Sequence, residues 1–185
     1  MAAPGGKVPA KILNIENLSD RHYGVTLSLG NAYTEAATVC LARHHSSPVD
    51  FDCIYDGSGW VGVLGWTNPS DRVTSAFANA EEATRDGAYA VSFAAVEAAE
   101  GLVAVARAEK LTGADYYLAP GGATDLEAAY RLEVSGTDTD NASIIRQRLR
   151  EKVAQTQAGN SNLPAIASVV GFRLRQLGVE KVAAP

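Results

Sequence analysis

The sequence predicts a mixed α/β fold, a central mixed sheet with flanking helices, and three observations carry that expectation. A capped helical pattern runs from Asn79 to Gly101. The hydrophobic period then changes from 3.6 to 2 through three short runs, and a second helical pattern leads into a last strand-like run, AIASVVGFRLR (Ala165 to Arg175). Residues 79–185 therefore read as helix, strand, strand, strand, helix, strand, an αβββαβ core. Residues 11–78 read as a strand, helix and hairpin extension to it, behind a mobile tail over residues 1–10. At 185 residues and 46% hydrophobic, one domain with one core is expected.

The first helix has Asn79 as N-cap, with Glu82 placed to complete a capping box, and Gly101 as its stop. Tyr89, Phe93 and Val96 fall at i, i+4, i+7 and should press on the sheet, while Asp86-Gly87 reads as a weak point in the helix interior. LVAVARA (Leu102 to Ala108) is Val-rich and short, as a buried strand should be, and Lys110 to Gly113 turns the chain.

The next two runs, GADYYLAP (Gly113 to Pro120) and AYRLEVSG (Ala129 to Gly136), each place an acid on one side of a strand. Alternation puts Asp115 with Tyr117, and Arg131 with Glu133 and Ser135, leaving Tyr130, Leu132 and Val134 on the apolar side. Carboxylates on neighbouring strands are what a hard cation such as Mg²⁺ asks for, with water and a phosphate completing its shell. The plainer reading of the same residues is that Asp115 caps a turn and Glu133 pairs with Arg131 or a solvent-facing lysine.

A second helix starts after GTDTDN with Thr139 or Asp140 as cap, and carries Ile145, Leu149 and Val153 at i, i+4, i+8. Lys152 follows Ile145 by seven residues and so lies within about 20° of that apolar line. Its stem can run along the core while its ammonium reaches the sheet edge; otherwise it is a snorkelling surface lysine. In the closing strand Arg173 and Arg175 share a side.

The order of elements, with Asp115 on the second core strand and Glu133-x-Ser135 on the third, resembles the PD-(D/E)xK, or restriction-endonuclease-like, nuclease superfamily. The phrases GADYYL and RLEVSG also resemble small prokaryotic proteins of this layout. The resemblance covers Asn79 to Arg175. It implies Mg²⁺ held by Asp115 and Glu133, with Ser135 standing where the family has its lysine, so that Lys152 on the following helix is the substitute cation. Glu97, or else Asp86, would be the acid on the first helix.

Charge is uneven along the chain. The net −5 excludes binding of nucleic acid by bulk electrostatics, but residues 1–139 hold 9 Lys and Arg against 18 Asp and Glu, whereas residues 140–185 hold 7 against 3. A basic end beside a carboxylate pair suits a phosphate-containing ligand, with Arg146, Arg148, Arg173 and Arg175 as phosphate contacts; it equally suits an acidic protein partner. Cys40 and Cys53 read as buried free thiols, and the absence of a signal sequence or membrane span points to a cytoplasmic protein.

Within the extension, KILNIENL (Lys11 to Leu18) and YGVTLSL (Tyr23 to Leu29) read as strands and Ala32 to His45 as a helix, with His44 and His45 favouring its C-terminal dipole. VDFDCIY, DGSG and WVGVLGW (Val49 to Trp66) form a hairpin. Trp60, Trp66 and Tyr55 could stack bases, but Asp50, Asp52 and Asp56 surround them, which favours core packing or a protein contact. Three functional readings stay open: a metal-dependent nuclease, in a bacterial defence or mobile-element setting; a catalytically inactive member of the same fold that binds nucleic acid, a protein partner or a second copy of itself; and a structural protein whose carboxylates only make salt bridges.

Overall fold

Eight strands hydrogen-bond into one mixed sheet in a computed structural model that describes residues 9–123 and 129–184. In chain order the elements are β1 (Ala10–Ile12), α1 (Leu18–Arg21), α2 (Leu27–Ala42), β2 (Val49–Tyr55), β3 (Ser58–Leu64), α3 (Asp71–Ala76), α4 (Ala80–Glu100), β4 (Leu102–Arg107), β5 (Tyr116–Pro120), β6 (Tyr130–Thr137), α5 (Ala142–Ala158), β7 (Ala165–Gly171) and β8 (Gln176–Val182). The sheet order is β1-β3-β2-β8-β7-β6-β5-β4. From β4 to β6 the strands form an antiparallel meander; α5 then crosses back so that β7 lies parallel to β6. Most of the tail expected over residues 1–10 lies outside the described residues, and Ala10 already belongs to β1.

Helix α4 is held at both ends as its sequence demands. Asn79 Oδ1 accepts from the backbone N–H of Glu81 (3.1 Å) and Glu82 (3.4 Å), and Gly101 ends the helix at φ +68°. The helix packs on the sheet and is itself roofed by α2, so its burial exceeds one stripe. Gly87 is the reason that roof fits. A Cβ there would lie 2.8 Å from the Ala37 backbone, so the expected weak point is the place where the two helices touch.

Three expectations fail for identifiable reasons. YGVTLSL is not a strand: Thr26 Oγ1 accepts from Leu29 N–H and caps α2, while Tyr23 (91% exposed) and Leu27 (64%) lie outside the core that strand alternation would have put them in. Of Lys11 to Leu18 only the first two residues are extended in the sheet; Leu13 and Ile15 are buried in the loop that follows. The closing strand stops at Gly171. Phe172 to Arg175 turn the chain, with Arg175 at φ +53°, and β8 returns antiparallel to β7.

That returning strand also pairs in parallel with β2, so the N-terminal hairpin and the αβββαβ elements share one sheet and one core. The hairpin turns at Asp56-Gly57, both at positive φ, as the sequence DG requires. Trp60, Trp66 and Tyr55 are buried, which removes the base-stacking platform and leaves core packing. Cys40 and Cys53 are buried free thiols, pushed up by burial to about 11 and about 12. Among the described residues no helix is long and apolar enough to cross a membrane.

Candidate functional site

Alternation along β6 places its side chains as the sequence predicts. Gly136 faces α4 so closely that a Cβ would collide with the Thr84 carbonyl oxygen, and Leu132 and Val134 share its side. Arg131, Glu133 and Ser135 face α5. Arg131, buried, donates to the carbonyls of Thr112 (2.7 Å), Thr156 (3.0 Å) and Leu163 (3.1 Å), tying together the loop before β5, the end of α5 and the approach to β7.

Strand β5 pairs with β6 only as far as Tyr116 opposite Leu132. Beyond that point β6 continues beside β7 with its other edge open, and the opening is a notch in the sheet. Asp115, the residue ahead of β5, closes the first step of it. Its N–H donates to the Leu132 carbonyl (2.7 Å), and its Oδ2 accepts the N–H of Val134 (2.9 Å), taking the place of the missing strand. Asp115 therefore lies at the sheet edge, not on the face with Tyr117 where strand alternation put it. Because even-numbered residues of β6 direct their backbone groups to this edge, the Val134 carbonyl also faces the notch.

The acids do meet. Asp115 bonds to the amide that directly follows Glu133, and its charge is felt there: the Glu133 carboxyl is pushed up first by burial and then by Asp115. Opposing that shift is Lys152, whose Nζ lies 2.6 Å from Glu133 Oε1 and 3.1 Å from Gln155 Oε1. The ammonium is thus delivered by α5 to the acid of β6, in the face position next to Ser135. Glu133 pairs with this lysine and not with Arg131.

A cleft of about 710 Å³ opens over the notch, walled by the N-terminal part of α4 (Glu81, Glu82, Arg85, Tyr89) and by Arg148 and Lys152 of α5. Arg148 donates to Ser135 Oγ (3.4 Å) and to the Gly136 carbonyl (3.2 Å). The buried phenol of Tyr89 is pushed up by burial and by the adjacent Asp115 charge. Tyr89, Arg85, Glu81 and Glu82 escaped sequence reasoning because the helical pattern assigned Tyr89 to the core and the capped first turn to the surface. Only the short length of GADYYLAP hinted that β5 would leave that part of α4 uncovered.

Other sequence candidates lie elsewhere. Glu97 sits at the far end of α4, where Arg21 Nε bonds to both its oxygens (2.8 and 3.0 Å), and Asp86 is paired with Arg85 (2.9 Å); neither lines the cleft. Arg146 is exposed on α5 away from it. Arg173 and Arg175 occupy the β7–β8 turn instead of a strand face, Arg173 standing 3.9 Å from Asp140 and Arg175 giving its carbonyl to the Asp52 N–H. Of the four arginines named from sequence, Arg148 alone lines the cleft. His44 bonds to the Asp138 carboxylate (2.9 Å) and His45 to the Phe172 carbonyl (3.0 Å), anchoring the end of α2.

The donor set suits one class of ion. Among the described residues no group of three or more His, Cys, Asp and Glu side chains could hold a metal. Asp115 lines the cleft, whereas Glu133 is buried, absent from the lining and bonded to Lys152; oxygen donors of this kind would suit Mg²⁺ or Mn²⁺, which keep waters and take substrate phosphate, and not a closed zinc site. No protein-family model, curated protein or solved structure matches the chain.

Proposed function

We propose that the chain is a metal-dependent nuclease of the PD-(D/E)xK type, with Asp115 and Glu133 as the ligands of a Mg²⁺ ion and Lys152 as the cation that Ser135 does not provide. The observation that carries the reading is the 2.6 Å contact between Lys152 Nζ and Glu133 Oε1, beside the notch that Asp115 edges. A lysine that only snorkelled would keep its ammonium in water; this one reaches a carboxylate whose side chain is 5% exposed. Because β6 and α5 both feed the site, a cation from the helix arrives on the same face as one from the third position of the strand motif.

Bound there, a divalent ion would polarise a phosphoryl oxygen as a Lewis acid. The chain's own groups do the rest. Asp115 and Glu133 fix the ion's position; Asp115 is itself held by the Val134 amide, and Glu133 by Lys152. The Lys152 ammonium orients the attacking water and offsets the negative charge that develops on the phosphoryl oxygens. Arg148, fixed by Ser135 and Gly136, lines the cleft, where it can hold a neighbouring phosphate; Arg85 on the opposite wall is already paired with Asp86.

Incubation of the purified protein with plasmid, single-stranded DNA and RNA, in Mn²⁺ or Mg²⁺ and in chelator, tests the reading. Metal-dependent cleavage is expected, falling by about two orders of magnitude or more in Asp115→Ala and Glu133→Ala and comparably in Lys152→Ala. Cleavage that survives these substitutions, or none from the wild type, overturns it. Metal-independent binding of nucleic acid without cleavage would be the outcome for an inactive binding protein of this architecture.

A further inference from the structure

Arg107 ends β4 at the surface, one residue from the bond between the Ala108 N–H and the Asp115 carbonyl (3.0 Å). Three tyrosines fix its guanidinium. Nη1 donates to Tyr33 Oη (2.9 Å) and to Tyr116 Oη (3.1 Å), these two phenols bond to each other (2.9 Å), and the guanidinium lies over the Tyr116 ring at 4.8 Å and the Tyr89 ring at 5.3 Å. Tyr89 is also the wall of the cleft beside Asp115, so one aromatic ring separates this cation from the proposed catalytic site.

The partners of Arg107 are neutral, as are those of Arg148. Arg21, Arg85, Lys152 and Lys181 are each bonded to a carboxylate at 3.2 Å or less, as expected in a chain of net charge −5. Arg107 has no carboxylate partner among the described residues. Phenols and ring faces hold it in place yet leave its charge intact, and burial pushes the Tyr33 and Tyr89 phenols above their ordinary value, so both stay neutral at physiological pH. Its Nε and Nη2 donors have no bond to any described residue, which leaves a pre-oriented fork of the kind that matches phosphate.

We infer that Arg107 is a phosphate-binding residue, taking a phosphate of a single-stranded nucleic acid next to the one that lies over Asp115 and Glu133. The inference rests on the nuclease reading and places the strand across the site, from Arg107 past the end of β5 toward Arg148. Lys152 and Arg148 then serve one side of the reacting phosphate, and Arg107 the other.

Binding of short labelled single-stranded DNA and RNA oligonucleotides, measured by fluorescence anisotropy in chelator over a salt series, tests it. Arg107→Gln removes the charge while keeping a donor for the phenols, so the fold is preserved. Several-fold weaker binding is expected, with the slope of log K against log salt reduced by about 0.7, one phosphate contact on a single strand. Arg107→Lys should restore most of the slope and only part of the affinity, because the fork is gone. An unchanged slope in Arg107→Gln, with Arg148→Ala still weakening binding, overturns the Arg107 assignment alone; a wild type that binds no oligonucleotide overturns it together with nucleic acid as the substrate.

Discussion

Two carboxylate–cation clusters, one at the C-terminal end of α4 and one between β6 and α5, are built in opposite ways. At the end of α4 Glu97 receives Arg21 through both oxygens and has His22 Nε2 3.4 Å away, too long for a well-made hydrogen bond. Arg21 goes on to donate to the carbonyls of Asn14, Glu16 and Asn17, so this cluster stitches the N-terminal loop to the helix. Between β6 and α5, Glu133 is more deeply buried, has a single ammonium for a partner, and stands next to a second acid. In the first cluster both Glu97 oxygens are bonded by Arg21, while the buried His22 Nε2 has no hydrogen bond among the described residues. In the second, Asp115 faces the cleft while Glu133 stays buried with Lys152 as its counter-charge, so two like charges are held close together.

Exchanging the two acids for neutral residues should separate these roles most sharply. Glu133→Gln is expected to abolish divalent binding and reduce cleavage by about 100-fold or more while shifting stability by no more than about 1 kcal/mol, since a buried charge next to another acid is removed. Glu97→Gln should leave binding and cleavage unchanged and lower stability by about 2 kcal/mol, read by urea unfolding, because Arg21 loses its anchor. Gly136→Ala, which drives a methyl into the Thr84 carbonyl, should reduce stability by about 2–3 kcal/mol and loosen α4 from the notch; a near-neutral result would mean that the wall of the cleft is not packed as described.

The C-terminal cluster also carries a pH signature. His22 accepts the Ala104 N–H at Nδ1 (3.0 Å), so its proton is on Nε2, and burial pushes its value down to about 4 in spite of Glu97. In the unfolded chain it would take up a proton near its ordinary 6.5. Stability present above that value is therefore lost as pH falls toward 4, by about 2 kcal/mol between about pH 7 and about pH 4.5. His22→Asn, which keeps an acceptor for Ala104, should flatten that limb in unfolding curves taken across the range.

For Glu133 the sign is the reverse. Its raised value means that the folded chain holds this proton more tightly than the unfolded one, so the group lowers stability as pH rises through that window, and divalent binding weakens as pH falls into it. Lys152→Met removes the charge that opposes the shift and should move the midpoint of Mn²⁺ binding to higher pH. This is the smallest of the expected effects, and a midpoint that stays put would place Lys152 outside the site.

Much of this was legible in the chain itself. Asn79, Gly101, the change of period at Leu102 and the Asp56-Gly57 turn each carry local backbone chemistry, and the elements they predict are present. The two faces of β6 followed from alternation, and Lys152 from its angle to Ile145. What escaped depended on tertiary context. YGVTLSL alternates like a strand, yet Thr26 caps a helix there; FRLR continues the pattern of β7, yet a non-glycine residue at positive φ turns it. The notch itself comes from where β5 stops pairing, and no residue type marks that point.

The direct measurement is calorimetric titration of Mn²⁺ into the wild type, Asp115→Asn and Glu133→Gln at neutral pH. One saturable site in the wild type, lost in both variants while their unfolding midpoints stay within a few degrees of it, is the predicted result. A site that persists in either variant, or no binding by the wild type, would contradict the claim that the edge of β6 is a divalent-ion site.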